Sequence, residues 1–144
     1  MANSIWLNFA DGEYLFHLKS KRIAEVEEAC KAGLGEIFAR TYKGVLDYTD
    51  DDGLPAVYAY EAGWKTNELA TVFKQAMIGG GKCVVDGEEK DVGEYRANQL
   101  IQNYLENEPL EKLWQLAAAI LGATFKGYET PKKAEPVEQP ANQE

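Results

Sequence analysis

From Ile5 to Leu18, apolar and polar positions alternate with the two-residue period of a strand. Ile5, Leu7 and Phe9 point one way, and Tyr14, Phe16 and Leu18, or Leu15 and His17, divide the faces of a return strand. Asp11-Gly12 between them predicts a tight turn, so the chain opens with a β-hairpin. A hairpin alone is marginal in water, and one of its faces must pack on helices or further strands. From Ser20 the period lengthens. Ser20 is placed to cap a helix through KRIAEVEEACKA, with Ile23, Val26, Ala29 and Cys30 along one stripe and Glu25, Glu27, Glu28 and Lys31 away from it. Gly33 ends that helix, and Leu34, Ile37, Phe38 and Tyr42 define a second one that Gly44 stops.

Residues 45–63 are the least regular: an acidic knot at Asp47, Asp50, Asp51 and Asp52, a turn at Gly53 to Pro55, and a strand-like VYAY run, together a surface loop or short ribbon. A calcium loop does not fit. With Gly53 at the invariant glycine position, Tyr48 and Ala59 stand where the first and the bidentate carboxylates belong. Next, Thr66 is placed to cap a helix whose Leu69, Val72, Phe73, Ala76 and Met77 share one face, and Gly79 supplies the left-handed residue that ends it. Glycines beside Lys82 invite a phosphate-loop reading, but here they follow a helix instead of preceding one, and Cys83 stands where Ser or Thr would hold magnesium. Lys82 to Val92 is either a small hairpin about Asp86-Gly87 or a plain loop. Asp91 and Glu94 have the spacing of a capping box opening a helix with Tyr95, Ile101, Tyr104 and Leu105 on its stripe. Pro109 suits the first turn of a last helix, apolar over much of its circumference through Leu110, Leu113, Trp114, Ala117, Ile120, Leu121 and Phe125, which predicts the core's centre or a buried interface. The fold class is α+β, mostly helical: an N-terminal β-hairpin, then about five short helices in a single domain over 1–127, with 128–144 a disordered, proline-containing acidic tail.

The chain has 144 residues, 45% of them hydrophobic with eight Tyr, five Phe and three Trp, enough for a core of its own. A net charge of −9 argues against nucleic acid, whose phosphates need clustered Lys and Arg, and favours a basic or apolar partner. No stretch approaches the ~18 apolar residues of a membrane span, so no membrane association and a cytoplasmic location are expected. Cys30 and Cys83 form no CxxC pair, and a single histidine, His17, lacks a neighbour to orient it as a base. Catalytic, cofactor-binding and metal-binding residues are therefore expected to be absent.

The blocks RIAEVEEA, GLGEIFARTYKG, VFKQAMIGGG and LIQNYLENEPLEKLWQLAAAILGATFKG, in this order over roughly residues 10–127, resemble the gene transfer agent family of small tail proteins, grouped with phage tail assembly chaperones. The acidic, aromatic insert at 45–63 and Met77 depart from the pattern expected of that family. The resemblance implies a helper that binds the tape measure protein, recruits tail tube protein around it in the producing bacterial cell, and is left out of the finished particle. An apolar groove for such a partner would be lined by Trp64, Phe73, Met77 and Ile78, since Met and aromatic side chains suit an adaptable surface; the same four also suit ordinary core. Self-association is a further expectation. The rival is a structural tail tube or tail-tip component. Tube subunits are mainly β-sheet, and the alternation supplies one convincing hairpin, which weights the expectation towards the chaperone. A generic acidic interaction domain is the remaining alternative.

Overall fold

The computed structural model describes residues 2–60 and 62–128. The predicted tail beyond Tyr128 lies outside them. In chain order the elements are β1 (Ser4–Phe9), β2 (Gly12–His17), α1 (Ser20–Cys30), α2 (Leu34–Tyr42), β3 (Val45–Thr49), β4 (Pro55–Val57), α3 (Thr66–Gly80), β5 (Lys82–Val85), β6 (Glu88–Asp91), α4 (Glu94–Asn107) and α5 (Leu110–Lys126). The α+β class holds, with five helices and the N-terminal hairpin in place among the described residues.

The hairpin does not stand alone. Its β2 pairs antiparallel with β5, and β5 with β6, giving a four-stranded sheet in the order β1-β2-β5-β6. The β5–β6 hairpin turns at Asp86 and Gly87, both at positive φ, 53° and 79°, as a two-residue turn between twisted strands requires. The first hairpin turns one residue earlier than the sequence implies: Ala10 and Asp11 form the loop, and Gly12 already pairs with Phe9. Gly12 serves another end, because a Cβ there would sit 2.2 Å from the Val84 carbonyl oxygen of β5.

One sheet face carries Ile5, Phe9, Tyr14 and Phe16, all buried beneath α3 and α5. On α3 the predicted stripe is the core itself: Leu69, Val72, Phe73, Ala76 and Met77 are fully buried. Burying each such large side chain contributes about 1.5–3 kcal/mol. The helix runs through Gly79 and Gly80, and Gly81, at φ 72°, is the left-handed residue that ends it. The first two glycines permit a close approach. β5 pairs with β2 only at Glu13 and Tyr14, and the last turn of α3 takes the open edge beyond, where a Cβ on Gly79 or Gly80 would lie 2.0 Å from the carbonyl oxygens of His17 and Leu15.

Helix starts differ from the expected caps. Ser20 and Thr66 are the first helical residues and neither side chain caps; α3 is closed by Glu68, whose carboxylate accepts the Lys65 N–H at 3.2 Å. Asp91 ends β6, and Gly93 precedes α4. The last helix, α5, is core over most of its length, with Leu113, Trp114, Leu116, Ala117, Ala118, Ile120 and Leu121 buried. Trp114 Nε1 donates to the Thr41 carbonyl at 2.7 Å and Tyr42 donates to the Ala118 carbonyl at 3.0 Å, which fixes α2 on α5. Tyr128, expected to begin the tail, is instead bridged antiparallel to Ala2.

Candidate interaction surface

The four residues proposed to line a groove fall in one packing unit. Phe73 and Met77 have no exposed surface; the Phe73 ring lies 4.5 Å from Phe9 and 4.9 Å from Phe16, and it offers nothing to a partner in this conformation. Trp64 is half-buried with its ring 5.3 Å from Trp114, and Ile78 is half-buried near the end of α3. The amphipathic stripe was legible, but the four-stranded sheet that covers it was not.

Three of the exposed aromatic side chains gather instead on the β3–β4 ribbon and the segment that follows it, while Tyr95, Phe125 and Trp6 are exposed elsewhere. Tyr48, Tyr58 and Tyr60 are 64%, 63% and 71% exposed, Leu46 is also exposed, and the Tyr58 and Tyr60 rings are 6.2 Å apart. The acidic knot builds the ribbon's turn. Asp50 Oδ1 accepts the backbone N–H groups of Asp52 and Leu54 at 2.9 and 3.0 Å, a side-chain turn that orders the tip. Gln115 of α5 then reaches across, donating to Asp50 Oδ2 at 2.8 Å and to the Pro55 carbonyl at 2.9 Å, and Lys112 pairs with Asp52 at 2.9 Å. Burial raises the Asp50 pKa, but the N–H groups of Leu54, Gln115 and Asp52 together with Lys112 outweigh it and hold the carboxyl below its ordinary value. The ribbon is thus clamped on one side to α5 while β3 stays open to solvent. Between β3 and the helix ends lies an open groove of about 440 Å³, lined by Tyr42, Val45, Leu46, Tyr48, Pro55 and Lys126. Beside it Phe38 stacks between Tyr42 and Phe125, each ring pair 4.4 Å apart.

The perturbed ionisable groups are spread over structural contacts. The Tyr14 hydroxyl, at 2.6 Å, holds Asp11 below its usual range with help from Arg96; burial and that same hydrogen bond push Tyr14 up to about 12. Glu68, buried between α2 and α3, is raised by burial, yet its hydrogen bond to Arg40 and the Lys65 N–H bring it below the usual value. His17 is half-buried on β2, inside the sheet, and burial then Lys19 lower its pKa. Among the described residues no His, Cys, Asp or Glu cluster has metal-binding geometry, and no helix is long and apolar enough to cross a membrane. What this surface offers is contact: apolar and aromatic side chains on a rigid ribbon beside a groove.

A family model described as phage tail tube protein, GTA-gp10, matches residues 3–127. The chain belongs to this family. No curated protein and no solved structure matches it. Membership in a tail tube family overturns two expectations drawn from the resemblance. The chain was expected to be an assembly chaperone, whereas the family is one of structural tail proteins. It was expected to be absent from the finished particle, whereas tail tube proteins are part of it. The strand content behind the chaperone reading also needs revision, although the fold stays mostly helical. The alternation supplied one convincing hairpin, and the described residues hold three: β1–β2, β3–β4 and β5–β6. The other two, which the sequence left open between hairpin or ribbon and plain loop, were hard to settle because β6 is wholly charged and exposed, and β4 is only three residues long.

Proposed function

We propose that this tail tube family protein is a structural component of a phage or gene transfer agent tail, held in the finished particle by contacts that its aromatic ribbon makes with neighbouring tail proteins. The observation that carries the reading is the family match over residues 3–127. The ribbon supports it: tyrosines bring large contact area at low entropic cost, and here Tyr48 on β3 and Tyr58 and Tyr60 after β4 flank a ribbon whose turn is already ordered by Asp50 and Gln115. Other tail tube subunits and the tape measure protein are the proposed neighbours. The role needs no covalent chemistry, and we assign the protein no enzymatic activity.

Quantitative mass spectrometry of purified particles tests this. The protein is expected at many copies per intact tail, and a triple variant Tyr48→Ser, Tyr58→Ser, Tyr60→Ser is expected to fold as the wild type does while its incorporation falls at least tenfold. Intact, functional tails that lack the protein would rule the structural role out. Normal incorporation of the triple variant would move the contact surface off the ribbon.

A further inference from the structure

The sheet ends in two strands of opposite character. Along β6 the sequence is Glu88-Glu89-Lys90-Asp91, exposed throughout, a charged edge of the kind that discourages pairing with another chain. The other outer strand, β1, reads Ser4-Ile5-Trp6-Leu7-Asn8-Phe9, with no charge and no proline, and its register with β2 runs without a bulge from Ser4↔His17 to Phe9↔Gly12. Because Phe9 and Gly12 flank a two-residue turn, the backbone groups of Phe9, Leu7 and Ile5 bond inward to β2, and those of Asn8, Trp6 and Ser4 face outward. Ala2 shares the outward parity and uses it: its N–H donates to the Tyr128 carbonyl at 3.0 Å and its carbonyl accepts the Tyr128 N–H at 2.6 Å. Beyond that pair, the outward groups of Ser4, Trp6 and Asn8 form a template left open among the described residues.

The residue types on this edge read the same in both directions around Trp6: polar Ser4, apolar Ile5, Trp6, apolar Leu7, polar Asn8. We infer that β1 pairs antiparallel, about a two-fold axis through Trp6, with β1 of a second copy of this chain. That register sets Ser4 against Asn8, Ile5 against Leu7 and Trp6 against Trp6 of the second copy. Ile5 and Leu7 extend the apolar layer under the sheet, and the two indoles, 42% exposed in the single chain, meet on its open face. No like charges oppose each other, whereas the same operation on β6 would bring several together. Tyr128 already fills the outward groups of Ala2, so the pairing ends with Ser4 against Asn8. A strand pair this short buries less than the roughly 1,200 Å² of a standard stable interface, so the dimer forms at high protein concentration. The inference does not depend on the tail reading.

Sedimentation velocity of the full chain over a hundredfold range of concentration tests it. The average mass is expected to rise from 16.0 kDa towards twice that value, and Trp6→Lys, which places like charges at the axis, is expected to remain a monomer with unchanged circular dichroism. Cysteine pairing reads the register, and it also decides the matter should Trp6→Lys fail to fold. Trp6 with Trp6 and Ser4 with Asn8 are the hydrogen-bonded pairs of this register, with Cα atoms about 5.5 Å apart, within disulfide range. In a Cys30→Ser background, Trp6→Cys is expected to give a linked dimer on oxidation. Asn8→Cys links to Ser4→Cys but not to itself. A wild type that stays monomeric throughout, dimers that persist in folded Trp6→Lys, or Asn8→Cys linking to itself as readily as Trp6→Cys would each overturn the inference.

Discussion

Replacing Gly80 by alanine adds a single methyl group, and the structure assigns that group no room. Its Cβ would lie 2.0 Å from the Leu15 carbonyl oxygen, 2.6 Å from the carbonyl carbon and 3.1 Å from the Leu15 Cγ. An ordinary C···O contact is roughly 3.3 Å or more, so the end of α3 and β2 must part by more than about 1 Å. The first two obstacles are backbone atoms of a strand held on its other edge by β1, and a rotamer change relieves neither. Overpacking of this kind costs about 1–3 kcal/mol, and rigid backbone on both sides puts the cost near the top of that range. Gly80 is helical, so alanine regains about 1 kcal/mol of helix propensity, leaving a net loss of about 2 kcal/mol. For a domain of this size that lowers the thermal midpoint by about 6–10 °C. Gly35 is the control: it too is helical, in α2, but a Cβ there meets nothing within 4 Å, and Gly35→Ala is expected to raise the midpoint by about 2–4 °C. Both are measured by thermal melts and urea titrations, with the urea slope unchanged because the same surface is exposed on unfolding. A Gly80→Ala midpoint at or above that of wild type would refute the close-approach argument. Equal losses in both variants would show that the effect has nothing to do with where the helix touches the strand.

Phe73→Asp places a carboxylate with no exposed surface among Phe9 and Phe16, and is expected to abolish the fold by circular dichroism, since an unpaired buried charge costs a large share of a total stability of about 5–15 kcal/mol. Asp11, Asp50 and Glu68 all titrate below their ordinary values of 3.8, 3.8 and 4.5, so their charged forms favour the native state; that stability is present above those values and is lost as pH falls through the lower native ones. Urea midpoints measured between about pH 6 and about pH 3 are expected to fall, and to fall less in Asp50→Asn.

How far the sequence discloses this protein depends on whether a signal is local. The stripes of α3 and α5 are legible because each helix carries its own burial pattern, and Leu69, Val72, Phe73 and Met77 are all core. The joining of β2 to β5 is not legible, since it consists of two residue pairs between segments far apart in the chain, Glu13 with Val84 and Tyr14 with Cys83. Glycines misled for the same reason. Gly12 and Gly79 read as a turn and a helix stop, the local uses of glycine, while both are needed where one backbone comes against another. The candidate surface followed suit: Phe73 and Met77 have the chemistry of a binding face, and only the sheet folded over them shows that the face is taken. The tyrosines at 58 and 60 lie in what sequence alone leaves as an irregular insert. What fixes the neighbouring ribbon is Gln115, the polar residue within the apolar run Leu113 to Leu121 of α5, and that exception in the run was the available clue.

The antiparallel pair of Ala2 and Tyr128 closes the described chain almost into a circle. A short linker from Tyr128 back to Ala2 and a cut between Asp86 and Gly87, in an exposed two-residue turn, would yield a permuted protein with every helix and strand intact. In that order α4 and α5 would leave the ribosome before the hairpin they cover, and β5 would come last. Contacts between segments now distant in sequence would become partly local, and the reverse, so the permutant should fold at a different rate to the same structure. The linear order of the elements is thus a matter of how the chain is made, separable from the shape it reaches.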